Sequence, residues 1–316
     1  MFDLPGLEAA TRIVHAAMPP TPQYAWPLLA GRTDCEVWVK HENHTPTGAF
    51  KVRGGFVYLD NLRRTRPGVR GLVTATRGNH GQSLPYAARG TGVAVTVCVP
   101  HGNSAEKNAA MRAFGAELIE AGRDFDEARE RAAQLAAERG LELVPSFHPD
   151  LVRGVATYAL ELFRAVPDLD TVYVPVGMGS GICGLMRTRD LLGLATRIVG
   201  VVSAHAPAIA LSFEAGHVVT TETADTFADG MACRVPDPGA FAAIQAGADR
   251  IVRVTDAEVA AAIRAYWTDT HNLAEGAGAA PLAALLQERG AMRGKRVAVI
   301  LCGGNIDLAV ARRVLA

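Results

Sequence analysis

The sequence predicts an α/β protein with parallel strands arranged in two lobes, and three observations carry that expectation. From residue 71 onward, short β-branched runs alternate with helix-like segments. Several of those runs end in glycine-rich loops, as strands of open parallel sheets do where they carry ligands. A length of 316 residues exceeds the usual single domain, which favours two lobes. No repeat, low-complexity tract or Gly/Ser linker divides the chain, so a second lobe must be woven in.

Taken in order, GLVTAT (71–76) reads as a strand, QSLPYAARG (82–90) as a helix and VAVTVCVP (93–100) as a buried strand, together a β-α-β unit. A helix follows over SAEKNAAMRAFG (104–115), with Ser104 as N-cap and Gly115 as its stop. Beyond the short strand AELIE (116–120), DFDEARERAAQLAAERG (124–140) is helical, with Asp124 capping and Glu127 at capping-box spacing. After LELVPSF (141–147) come a helix near 151–165, the strand TVYVPV (171–176), a glycine-rich loop, another helix and the strand RIVGVVS (197–203). The last third adds helices over 256–270 and 278–289, then the strand RVAVILCGG (296–304), which opens directly into a final helix over NIDLAVARRVLA.

Thirty-two basic residues balance thirty-two acidic ones, so no overall field draws the chain to nucleic acid or to an anionic membrane, and a small-molecule partner is expected. The N-terminal MFDLPGLEAATRIVHAAMPP lacks a basic leader with a continuous apolar stretch, and nowhere do about eighteen apolar residues run unbroken. A soluble, cytoplasmic protein is the expectation. Cys35, Cys98, Cys183, Cys233 and Cys302 are odd in number and never spaced CxxC, which supports neither a disulfide framework nor a zinc knuckle.

Four loops carry the chemistry: KHENHTPTGAFKVRGG (40–55), TATRGNHG (74–81), PVGMGSGICG (175–184) and LCGGNID (301–307). In the third, small residues let the backbone aim N–H groups at an anion before a helix N-terminus, although a tight turn without a ligand fits the same residues. Ile182 stands where the third glycine of a dinucleotide fingerprint belongs, which disfavours a nicotinamide dehydrogenase. In the first loop, His41 and His44 are three apart with Pro46 close behind, so the helical zinc spacing of four is absent; no Walker A motif surrounds Lys51 either. What remains is Lys51 beside Phe50 in a glycine-bracketed turn. A desolvated lysine has a lowered pKa and becomes a nucleophilic amine able to form a Schiff base, whereas alone it would read as a surface lysine.

The ordered set PTGAFKVRGG, TRGNHGQS, a glycine-rich phosphate loop and CGGN resembles the pyridoxal-phosphate enzymes of the tryptophan-synthase-β fold, most closely the serine/threonine dehydratase family. ADGMACRVP (228–236) and EGAGAAPLAAL (275–285) are similar to family segments that line or support the site. The resemblance implies two lobes, each a largely parallel sheet flanked by helices. Residues 1–60 and 146–316 would form a large cofactor-binding domain, and 61–145 a small inserted domain with the substrate-carboxylate loop. It implies Lys51 as the Schiff-base lysine and general base, Phe50 packed near the cofactor ring, and Asn79 bonded to the cofactor 3-oxygen. Gly177, Met178, Gly179, Ser180 and Gly181 match the phosphate loop, and the backbone of Thr76, Arg77, Gly78, Asn79 and His80 the substrate-carboxylate grip. Cys302 takes the position facing the pyridine nitrogen, where a thiol supports the ring charge weakly and favours β-elimination over transamination. With a reference pKa of about 8.5, its charge state is open from sequence; the alternative, a buried apolar cysteine, is weakened by the flanking Gly303-Gly304-Asn305.

The implied activity is a pyridoxal-phosphate-dependent ammonia-lyase that converts a 3-hydroxy amino acid such as L-threonine or L-serine to a 2-oxo acid and ammonia. Alternatives on the same fold are a dehydratase of 3-hydroxyaspartate or a related substrate, an amino-acid racemase, and a β-replacement synthase; a non-catalytic pyridoxal-phosphate-binding protein is the alternative of another class. Members of the family are commonly homodimers or homotetramers. Three departures bear on specificity. Arg77 stands where racemases place Ser, and a guanidinium is a poor proton donor; it would engage a substrate side-chain carboxylate, or else a surface or cofactor-phosphate contact. Ser203 to Pro207 lacks the carboxylates of metal-activated members, so no metal site is expected there. Met178 and Ser180 replace glycines of relatives, which implies that Met178 needs no glycine-only backbone angle. With the chain ending after the CGGN helix, feedback regulation by isoleucine is not expected.

Overall fold

Ten strands sort into two separate sheets in the computed structural model, which describes residues 2–316. They are β1 (Gln23–Ala25), β2 (Glu36–His41), β3 (Gly71–Ala75), β4 (Ala94–Val99), β5 (Glu117–Glu120), β6 (Glu142–Leu143), β7 (Thr171–Pro175), β8 (Arg197–Ser203), β9 (Arg250–Val254) and β10 (Arg296–Leu301). The six-stranded sheet runs β1-β2-β10-β7-β8-β9 and the four-stranded one β5-β4-β3-β6. All neighbours are parallel except β1, which pairs antiparallel with β2. The smaller sheet uses only residues 71–143, whereas the larger draws on chain before and after it. Mixed α/β architecture with parallel sheets was the expectation, and the structure has it.

Central strands of the larger sheet are nearly continuous apolar runs because helices cover both faces; Val37, Val39, Val172, Val174, Val199, Val201, Val297 and Val299 are all buried. Strands β2 and β9 are hidden in the sequence because charged residues interrupt them, Glu36-Val-Trp-Val-Lys40-His41 and Arg250-Ile-Val-Arg253-Val, and β1 because it is only three residues long. In β2 Glu36 is partly exposed, but Lys40 and His41 are fully buried.

Boundaries moved where hydrogen bonding overrode periodicity. Strand β6 is two residues long: Val144 still donates to Val73, but Pro145 has no N–H with which to extend the ladder. The helix expected from 82 begins at Asn79, and the final helix begins only at Leu308 because Cys302 to Gly304 pair back onto the 48–50 turn. Asp124 caps helix Phe125–Arg139 by accepting from the Glu127 N–H, but the Glu127 carboxylate accepts from Arg123 N instead of closing the box on Asp124. Helices Lys51–Thr65 and Pro149–Ala165 cross so closely that a Cβ at Gly154 would lie 2.4 Å from the Arg53 carbonyl oxygen.

Candidate active site

Lys51 is the first residue of its helix, placed there by the turn Thr45 to Phe50. Gly48 makes that turn possible with φ +68°, and a Cβ on it would meet Asn305 Oδ1 at 2.6 Å. The turn is stitched to the end of β10: Phe50 N donates to Cys302 O at 3.0 Å, Gly304 N to Gly48 O at 2.9 Å, and Ala49 bridges Gly303. Asn305 Nδ2 then donates to Thr47 O and to Asn79 Oδ1, at 2.8 and 2.9 Å, while Asn79 Nδ2 donates to Glu275 Oε1 at 2.8 Å. Loops distant in sequence thereby become one wall.

The Lys51 ammonium meets no carboxylate. Its Nζ donates to Ser180 Oγ at 2.8 Å and sits 5.0 Å from the Phe50 ring centroid. Lys51 is partly buried, opening onto a cavity, and the loss of water lowers its pKa to about 8, with the Cys233 and Cys302 thiols opposing the shift. Phe50 is held edge-to-face against Tyr158, whose hydroxyl donates to Gly181 O at 3.2 Å.

Across the cavity, helix Ser180–Leu191 starts at Gly179, φ +93°, with no side chain capping its N–H groups. Among the described residues Met178 is not one of the non-glycine positions with positive φ, as its ordinary backbone requires. Helix Asn79–Ala88 likewise starts without a side-chain cap, at Gly78. His80 is buried, its Nε2 lacks a partner, and burial lowers its pKa to about 3, so the ring is neutral. Burial pushes the Cys302 thiol well above its ordinary value, with the Glu275 carboxyl adding to the rise; the side chain is a neutral thiol.

All thirteen residues singled out from the sequence, namely Phe50, Lys51, Thr76 to His80, Gly177 to Gly181 and Cys302, line this one cleft of about 850 Å³, part of it open to solvent. Lys107, Phe125, Ser146, Asp229, Cys233 and Glu275 line it too, with no individual role expected from the sequence. Asp229, Cys233 and Glu275 lie inside segments similar to the family; Lys107, in the helix expected over 104–115, carries no such signal. Lys107 pairs with Asp229 across the cleft. Burial raises the Glu275 pKa to about 7, and its Oε2 has no partner.

Of the two histidines, His44 is exposed and its Nε2 hydrogen-bonds Asn272 Oδ1 at 2.8 Å, while His41 is buried and serves packing. His41 Nε2 accepts from Trp26 Nε1 at 3.0 Å, and burial lowers its pKa to about 4. Residues 203–207 hold no carboxylate, and Ser203 Oγ accepts from His205 N at 3.1 Å.

Residues 14–303 match the family described as pyridoxal-phosphate dependent enzymes. The chain belongs to that family. It is 38% identical over 273 residues to an L-threonine ammonia-lyase of Geobacter sulfurreducens, covering 86% of this chain and 68% of that one. With an L-threonine ammonia-lyase of Thermotoga maritima the identity is 32% over 316 residues, covering 100% and 78%. Among solved structures, a threonine deaminase from the organism abbreviated T.th. superposes with a TM-score of 0.89 at 31% identity, covering 97% of this chain and 99% of that one. A pyridoxal 5'-phosphate-dependent aspartate racemase superposes with a TM-score of 0.91 at 26% identity, covering 97% of each. The site fits the family's cofactor: an amine without a carboxylate, an uncapped helix start after a left-handed glycine, and unpartnered buried atoms on His80 and Glu275 face one cleft.

Proposed function

We propose that this protein is a pyridoxal-phosphate-dependent ammonia-lyase of the dehydratase type, converting a 3-hydroxy amino acid such as L-threonine or L-serine to a 2-oxo acid and ammonia. Ammonia-lyase relatives at 32–38% identity support the reaction class. The observation that carries the site assignment is the Lys51 amine, desolvated yet unpaired with any carboxylate, at the wall of the cleft.

In this reading Lys51 would hold the cofactor's aldehyde carbon until the substrate amine takes its place and frees it, and Phe50 would flank the ring. Gly177 to Gly181, with the start of helix Ser180–Leu191, hold its phosphate. Asn79 Nδ2, with one proton given to Glu275, offers the other to the ring oxygen, and Cys302 gives the ring nitrogen a neutral partner. The bound group supplies an electron sink for the pair released when Cα loses its proton. Backbone N–H groups of Thr76 to His80 grip the substrate carboxylate at the start of helix Asn79–Ala88, which fixes the face of Cα presented to Lys51. Lys51, a neutral amine at mildly alkaline pH, takes the Cα proton as general base. Held in place by the Ser180 hydroxyl, its Nζ stays inside the cleft.

The small inserted domain is residues 61–145, carrying the 76–80 grip, and the large domain is 1–60 with 146–316. We place the protein in the cytoplasm as a homodimer or homotetramer; among the described residues no helix is long and apolar enough to cross a membrane. Release of 2-oxo acid and ammonia across a panel of 3-hydroxy amino acids of both configurations tests the activity. If serine is consumed only when sulfide or an amine is supplied, with no oxo acid formed, the protein is a β-replacement enzyme instead.

A further inference from the structure

Among the described residues, Arg77 is the one half-buried arginine that has neither a hydrogen bond nor an ion pair; its Nε is buried without a partner. A guanidinium is costly to shield unless an anion faces it. The carboxylates around the cleft do not supply one. Asp126 and Asp124 are bound to Arg234 at 3.0 and 2.7 Å, Asp126 also to Arg129 at 3.2 Å, and Asp229 to Lys107. Glu275 accepts from Asn79 through Oε1, and its unpartnered Oε2 makes no bond to Arg77.

Two anions are expected in the cleft under the dehydratase reading, and each has a receptor apart from Arg77. The start of helix Ser180–Leu191 and the start of helix Asn79–Ala88 both present N–H groups with no side-chain cap. Arg77 lines the cleft with Phe125, Ser146 and Cys233, and its charge acts on the Cys233 thiol, countering the rise that burial imposes there. That leaves the guanidinium in want of a third anion.

We propose that Arg77 receives a carboxylate on the substrate's side chain, so that the preferred substrate is an acidic 3-hydroxy amino acid of the 3-hydroxyaspartate type, released as a 2-oxo dicarboxylate and ammonia. Net composition balances, since the water lost in elimination returns on hydrolysis. This rests on the dehydratase reading for its chemistry, but the binding preference stands apart from turnover.

The test compares L-aspartate with its neutral isostere L-asparagine as ligands of the holoenzyme, neither carrying a 3-hydroxyl to eliminate, with affinities read by calorimetry and by the cofactor's absorbance. A charge-assisted guanidinium contact predicts aspartate binding about tenfold or more tighter. Likewise, kcat/KM should favour 3-hydroxyaspartate over threonine by a similar factor. Arg77→Ser should collapse the aspartate-to-asparagine contrast to within about threefold. Equal affinities in the wild type would overturn the proposal, and that measurement needs no variant to fold. So would a contrast that survives in Arg77→Ser, or one that survives while pyridoxal-phosphate affinity falls, which would assign the guanidinium to the phosphate. Tight aspartate binding with no ammonia from any 3-hydroxy amino acid would support the subsite and remove the dehydratase reading.

Discussion

Lys51 and Arg53 stand two residues apart on the first turn of one helix, and the fold surrounds them in opposite ways. Arg53 is fully buried with its donors engaged: Glu42 at 2.7 and 2.9 Å, Glu161 at 2.6 and 2.9 Å, Thr157 at 3.0 Å and Thr21 at 3.1 Å. The second carboxylate also binds Lys40 at 2.6 Å and His15 at 2.8 Å. Lys51 opens onto the cleft with one hydroxyl partner. Desolvation acts against the charge of both. Carboxylates overcome it at Arg53, whose pKa rises, while nothing does at Lys51, whose pKa falls to about 8. Partners, more than burial, decide whether a cation anchors or reacts, and the anchored one holds the helix that presents the other.

The largest effect that contrast predicts is on turnover. Lys51→Ala should lower kcat by about 10³-fold or more, since nucleophile and base leave together, and the yellow absorbance of the loaded enzyme should vanish; undiminished ammonia release would reassign the base. Arg53→Met should leave Glu42 buried without its cation, Glu161 keeping Lys40, and cost about 3–5 kcal/mol, read as a fall in Tm of roughly 5–8 °C for a chain this long. A Tm within about one degree of wild type would show that the network contributes no stability.

The same pairs sharpen the comparison by pH. Arg53 and Lys40 outweigh desolvation and lower the Glu161 pKa from 4.5 to about 2. A depressed carboxyl stabilises the fold above its unfolded pKa and loses that contribution as pH falls through the folded one. The Tm gap between wild type and Glu161→Gln should therefore be widest above pH 4.5 and narrow toward pH 2. For Lys51 the smaller expected effect is kinetic. Capture of pyridoxal phosphate by apoenzyme, followed by absorbance, should quicken as pH rises through about 8, where the amine loses its proton. A midpoint near 10.5, the ordinary lysine value, would show that the cleft does not desolvate it.

Much of this was legible in the chain. Alternating β-branched and helical runs identified parallel α/β architecture, and glycine-rich loops at strand ends marked four of the segments that meet in the cleft, because glycine is favoured where backbone turns left-handed or approaches closely, as at Gly48 and Gly179; Lys107, Phe125 and Ser146 lie outside those loops. Charged strands were not legible: β2 places Lys40 and His41 in the interior, and only the sheet shows what satisfies them. Nor was the meaning of HENH. Its histidines lack the helical zinc spacing, and the segment's buried role falls to Glu42, the partner of Arg53.

By itself, the sequence determined residue types and local backbone: an amine next to an aromatic, glycines at turns, a thiol at the end of a strand. Tertiary structure alone decided their charge states and partners. Whether Lys51 is partly neutral, whether Cys302 is a thiol, and whether Arg77 is left without a carboxylate depend on desolvation and on groups that lie far away in the chain. Those terms act through space, and local sequence carries no record of them.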